Sequence, residues 1–380
     1  MKRPRNFRVV FLLAVLLIAG LTVLLREHGP SFLRPGLRLC AYVTTADGSV
    51  TVVDLVKLAA IARVSVGPGL SGMREHPTRA EIWGASSAGG YIWVLDARVN
   101  QINARIPVGT LPYSLDFSPD GSRVYTTSAG TDTLLAIDCQ SHAILARART
   151  GSEPVLARIT PDGKTALVVN RRGASLGIHD ATTLALRSTV SVVRQPEDVA
   201  ILPDNSLAFV LSRTEHRISV VDLRRGVLLT NLELAGNPSE MLLKPDGGEL
   251  FILSPDAHGL QVINTQTHEV GDYIVLGSAP TRGVLSADGS LLYVSDTAAG
   301  HIIPVDIVNR RVIRDPSPGK EFPIPAGQSP GALRFDPNEN LVLIVNQASG
   351  DLEVVRVRTN SLLTMIPVGE HPKDLAVKLF

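Results

Sequence analysis

The chain has 380 residues, 44% of them hydrophobic but only 4% aromatic, so a core of any size must be aliphatic. Its 37 Lys and Arg residues nearly cancel 36 Asp and Glu for a formal charge of +1, which removes the net basic surface that dominant electrostatic binding to nucleic acid needs. Two cysteines, Cys40 and Cys139, exclude a disulfide framework and cannot build a zinc site alone.

Residues 1–8 carry Lys2, Arg3, Arg5 and Arg8 and no acid. Residues 9–25 follow without a charge, VVFLLAVLLIAGLTVLL, and as a helix they would rise about 25 Å, near the lower limit for a membrane span. The positive flank is expected to stay cytoplasmic and to send the remainder across. No small-residue cleavage pattern follows Leu25, so the expectation is an uncleaved signal anchor with the rest in the periplasm or outside the cell, secretion after cleavage being the alternative. Residues 26–36 read as a short tether.

Beyond residue 37 three signals recur. In Gly-x-x-Pro turns, with Val193 and Ala235 replacing the glycine before Pro196 and Pro238, Pro112, Pro154, Pro196, Pro238 and Pro280 follow at 42-residue steps, then Pro330 after 50 and Pro372 after 42. A Pro-Asp-Gly turn or a variant begins seven residues after each of the first six of these prolines, as at Pro119-Asp120-Gly121 and Pro161-Asp162-Gly163. Apolar runs end at Asp54, Asp96, Asp138, Asp180, Asp222, Asn264 and Asp306, all 42 apart. Three residue classes at fixed mutual offsets mark a repeat architecture. The long step places an eight-residue insertion between Asp306 and Pro330, centred on residues 315–320.

Within a unit the apolar period is two. In residues 112–150, strands at 113–118, 123–128, 133–138 and 143–150 alternate with turns that proline and glycine favour. Four short antiparallel strands per 42 residues make a propeller blade. The first unit lacks its first strand and the last copy, from Pro372, supplies one, so pairing of the two chain ends would close the ring and remove its unpaired edges. The reading is therefore an all-β, eight-bladed β-propeller over residues 37–380, behind one N-terminal transmembrane helix. Seven blades is the alternative if the unit at 67–96, with Leu70 in the proline slot and Pro77-Thr78-Arg79 for Pro-Asp-Gly, forms no first strand.

These residues resemble the YVTN-type β-propeller repeat family of surface-layer and other extracytoplasmic proteins. Tyr293-Val294-Ser295-Asp296, Leu167-Val168-Val169-Asn170 and Leu343-Ile344-Val345-Asn346 are similar to its signature strand, and Ile106-Pro107-Val108-Gly109 and Ile366-Pro367-Val368-Gly369 to its turn lead-in. The resemblance implies the fold and a relation to lactonase-type and haem d1 propellers. No Cys-x-x-Cys-His is present, so covalent haem c is excluded, and no cofactor is expected.

Repeated residues hold the scaffold, so function is sought in loops that break the repeat. Loops after second and fourth strands share one rim. There, adjacent blades carry Arg171, Arg172, Arg213, His216 and Arg217, a candidate site for a carboxylate, phosphate or acidic partner; the plainer alternative is a solvated rim with Glu215 satisfying its neighbours. Glu197, Asp198, Glu240 and Arg282 follow anchor prolines on first strands, which line the axis, and are candidates to converge on a central ligand. His258 and His301 sit one blade apart with no cysteine partner, so no metal site is assigned. No nucleophile motif appears, and Trp83 and Trp93 fall within strands, where packing is favoured over base stacking. The function expected is a non-catalytic binding or scaffold propeller that presents a rim and a central channel to a protein or small anionic ligand. The alternatives are a lactonase-like hydrolytic propeller using axial carboxylates and an accessory to extracytoplasmic redox or metal handling.

Overall fold

A strand covered on both faces needs a continuous apolar run, whereas one facing water alternates. The chain follows this rule unit by unit in the computed structural model, which describes residues 37–314 and 323–380. In the unit starting at Pro112, strands Arg123–Ser128 and Thr133–Asp138 are buried almost throughout, and the outer strand Ile144–Arg149 alternates exposed and half-buried residues. The alternation therefore lives in the outer strand, because each inner strand is sandwiched between neighbouring sheets.

Eight antiparallel sheets form, numbered here as blades I to VIII in chain order. Blade II spans 70–107, III 112–149, IV 154–191, V 196–233, VI 240–275, VII 280–325 and VIII 330–367. Blade I combines Leu39–Thr44, Ser49–Asp54 and Ala59–Ser65 with the C-terminal strand Asp374–Leu379, which pairs antiparallel with Leu39–Thr44. The fold is thus the eight-bladed propeller closed by its two end strands. The seven-bladed alternative falls, because Leu70–Glu75 does form a first strand, paired with Glu81–Ser86. Leu70 replaces proline there at no loss of pairing, since the register shift that follows the proline elsewhere is kept between Leu70 and Gly72. In blade VII the outer strand is split: Arg311–Val312 and Ile324–Pro325 both pair with His301–Asp306. The insertion interrupts the outermost strand, where chain can leave without exposing a core; residues 315–320 themselves lie outside the described residues. So do the basic segment, apolar run and tether of residues 1–36. Among the described residues no helix is long and apolar enough to cross a membrane.

The recurring turn residues have identifiable jobs. The aspartate that ends most third strands, or asparagine at 264, accepts backbone N–H groups two or three residues on, as Asp180 does from Thr182 at 3.0 Å and Thr183 at 2.8 Å, closing the outer hairpin. In blade VIII this residue is Arg356, and the turn becomes a short 3-10 helix, Val357–Thr359, without a side-chain cap. In blade II the Pro-Asp-Gly turn has Thr78 in its aspartate slot, and buried His76 ties that turn instead. Its Nδ1 accepts N–H groups of Thr78 at 3.2 Å and Arg79 at 3.0 Å, so Nε2 carries the proton and donates to the Gly121 carbonyl at 2.9 Å.

The core lies between blades. Trp93 packs with Tyr42 and Val52 between blades I and II, and Trp83 with Leu115, Val124 and Leu135 between II and III. Both indoles are fully buried, each worth roughly 3 kcal/mol or more of stabilisation by area. Cys40 and Cys139 are buried in different clusters, and burial pushes the Cys139 thiol up to about 12. The third residue of the third strand, under the rim, is polar in blades I, V, VI and VIII: Ser219, Gln261 and Glu353 accept N–H groups of Val193 at 2.9 Å, Ala235 at 3.1 Å and Gly327 at 3.3 Å, and Thr51 donates to the Val368 carbonyl at 2.6 Å, tying each incoming loop to the blade it enters.

Candidate binding site at the rim and axial channel

Backbone pairing confirms which loops share the rim: the Arg171 amide donates to the Glu153 carbonyl at 2.9 Å, joining a loop after a second strand to one after a fourth. First strands enter the channel just below. In blades II, IV, V and VII their register shifts directly after the anchor position, a bulge that re-aims the side chains following it.

The inner edge of a first strand has no further strand to pair with, so its N–H and C=O groups need other partners. Side chains of the preceding blade supply them. Ser71 Oγ donates to the Pro112 carbonyl at 2.8 Å, Asp116 Oδ2 accepts from the Ile159 amide at 2.9 Å, and Glu240 accepts from the Gly283 amide. Glu240 also lies 3.7 Å from Arg282. Burial pushes its carboxyl up, with Arg282 acting in the opposite sense.

The rim residues named from sequence separate into two groups. Arg171 sits between Glu153 at 3.4 Å and Glu197 at 3.5 Å, with its guanidinium 5.3 Å above the centre of the Tyr113 ring. Arg172 lies 3.6 Å from Glu153, and Arg213 3.3 Å from Glu197. Two carboxylates thus gather three arginines at the channel mouth. Arg217 turns instead to Glu233 of its own outer strand at 2.7 Å, and His216 occupies a left-handed turn at φ 50 whose carbonyl accepts the Leu234 amide. Glu215 pairs with Arg194 at 2.5 Å, and that contact holds its carboxyl below the usual range. Asp198 accepts its neighbour's amide, Val199 N–H, at 2.9 Å. His258 Nδ1 is 2.8 Å from the Ser278 carbonyl. Among the described residues no group of three or more His, Cys, Asp and Glu side chains is placed to hold a metal ion.

Glu197, Asp198 and Arg213 line a cavity of about 250 Å³ that opens onto the axis. Deeper in it lie three arginines absent from the sequence-based set: Arg74, Arg158 and Arg334, from the first strands of blades II, IV and VIII. All three stand four residues after the anchor position (Leu70, Pro154, Pro330), so the repeat register itself carried the signal. Arg74 is 3.7 Å from Asp116. Arg158, more than burial, depresses the Arg74 guanidinium below its ordinary pKa, with Asp116 working against it and Arg334 adding to it. Like charges therefore face one another in the channel.

A family model described as "YNCE-like beta-propeller" matches residues 89–291. No curated protein sequence matches the chain. Among solved structures, the dihydro-heme d1 dehydrogenase NirN, solved in complex with DHE, is similar over 91% of this chain and 76% of its own, at 18% identity and a TM-score of 0.74. Hydrazine synthase of Kuenenia stuttgartiensis is similar over 76% of this chain and 96% of its own, at 18% identity and a TM-score of 0.59. A functionally unknown protein from Desulfotomaculum acetoxidans DSM 771 gives 18% identity and 0.59 over 77% of this chain and 97% of its own. At this identity the likeness is one of fold, and it agrees with the resemblance to d1-type propellers.

Proposed function

The chain belongs to the YNCE-like β-propeller family, and on that footing we propose that it is a non-catalytic binding propeller. In this reading its rim and central channel are presented to a protein or small anionic ligand, with residues 9–25 anchoring it in the membrane and the propeller in the periplasm or outside the cell. The observation that carries the reading is the single cavity that joins the ion-paired rim to the arginines of the channel. It is walled by rigid first strands, the kind of support on which a preformed site depends. Two of the axial carboxylates, Asp116 and Glu240, are each engaged by a backbone amide and an arginine, which favours binding over general-base work at those two positions.

The test is capture of partners from crosslinked membranes by the full chain and by a variant with Arg171→Glu and Arg172→Glu. These changes put two acids beside Glu153 and Glu197 and reverse the charge of the mouth. Loss of a specific partner is expected, and an unchanged partner set would overturn the rim's role.

A further inference from the structure

We propose that the axial cavity binds a small zwitterion whose carboxylate and ammonium groups are separated by several bonds, as in an ω-amino acid. This rests on the reading of the channel as a binding site and specifies its ligand.

The charges in the cavity are sorted by depth. Asp198 of blade V and Asp374 of blade I stand two residues after the anchor prolines, at the upper level. Arg158 of blade IV and Arg334 of blade VIII stand four residues after theirs, at the lower level. Two residues of strand separate the levels by about 7 Å. Other charged groups at these levels pair sideways within their own level, Arg74 with Asp116 below and Glu240 with Arg282 above. Among the described residues, neither Asp198 nor Asp374 forms an ion pair, and neither does Arg158 or Arg334.

Two acids above and two guanidiniums below are thus left outside ion pairs among the described residues, on both sides of the ring, although Arg334 also acts at longer range on Glu240. A simple anion would satisfy the lower level and be repelled at the upper one. A cation would do the reverse. A molecule with an ammonium near Asp198 or Asp374 and a carboxylate near Arg158 or Arg334 satisfies both, and a linear chain spanning about 7 Å fits between the two levels. Val155 and Leu156 line the same cavity and suit a methylene body.

The test uses isothermal titration calorimetry on the purified full chain with four probes of similar length: ε-aminocaproate, hexanoate, hexylamine and adipate. ε-Aminocaproate is expected to bind at least about tenfold more tightly than any of the other three, the effect of one charge-assisted hydrogen bond in a sheltered site. Because either side of the ring can take each end of the ligand, the substitutions are paired: Arg158→Met with Arg334→Met, and Asp198→Asn with Asp374→Asn, should each remove that preference, with thermal melts verifying that the variants fold. Should a double variant not fold, each of its single substitutions is expected to weaken ε-aminocaproate binding. Adipate binding as tightly as ε-aminocaproate would overturn the zwitterion in favour of a dianion. No binding of any probe, or a preference untouched by these variants, would also overturn it, while the rim reading stands or falls separately on partner capture.

Discussion

Glu353 offers a direct measure of how the rim loops are tied down. Its side chain is 0% exposed. Oε2 accepts from Asn346 Nδ2 at 3.2 Å and from the Gly327 amide at 3.3 Å, while among the described residues Oε1 and Asn346 Oδ1 have no hydrogen-bond partner. Burial pushes the carboxyl from 4.5 up to about 7, with the Asn346 and Gly327 contacts opposing the rise. Because the folded pKa is the higher one, the folded state holds the proton longer than the unfolded chain. The group therefore costs nothing below about pH 4.5, and stability falls as pH rises from there through about 7. The full penalty above that range is about 3 kcal/mol at roughly 1.4 kcal/mol per unit. Glu353→Gln keeps the shape and the acceptor, adds a donor for the orphan oxygens and removes the titration. For a domain of this size an unfolding entropy of about 0.7 kcal/mol/K converts 3 kcal/mol into about 4 °C. Melts followed by circular dichroism should show the variant gaining about 4 °C on the native chain between about pH 5 and pH 8. A gap between the two proteins that does not change with pH would refute the assignment.

His76→Ala strips a buried turn of its acceptor for two amides and its donor to Gly121, and should cost about 2–3 kcal/mol in urea unfolding. Burial holds the native imidazole's pKa below its ordinary 6.5, so its stabilisation is complete above pH 6.5 and is lost as pH falls toward the depressed folded value; the Ala variant should lack that acid-side slope. Arg356→Asp supplies the cap missing from the 3-10 turn of blade VIII and should stabilise by about 1 kcal/mol, read as a higher melting temperature. Removing Asp374–Leu379 leaves Leu39–Thr44 unpaired along one edge, and size-exclusion chromatography should then show aggregates in place of a monodisperse peak.

The repeat made the fold legible. Proline, Pro-Asp-Gly and terminal aspartate each report a turn, and turns at a constant step determine where every strand begins. Leu70 obscured one unit because a bulge can form without the proline that usually marks it. The site was legible in composition more than in arrangement. Arg171, Arg172, Arg213 and Glu197 were found as departures from the repeat, but their pairing through Glu153 and Glu197 joins loops of different blades and depends on side-chain reach. Arg74, Arg158 and Arg334 stand inside first strands and not in the loops that break the repeat, yet strand alternation aims their position, two beyond the residues that follow the anchor, at the same axis. Glu353 and His76 gave no signal in composition, since a lone buried acid or imidazole looks like any other until its neighbours are known.

Blade I unites segments 330 positions apart, Thr44 beside Asp374. No earlier contact can substitute for that last pairing, so the final step of folding waits on the most distant encounter the chain makes. Until then blade I stands one strand short, a period in which chaperones or a neighbouring copy's end strand would compete for it. Once latched, the same distance works in favour of endurance: local fraying of a blade other than blade I leaves the ring shut, and opening it requires release of one six-residue strand.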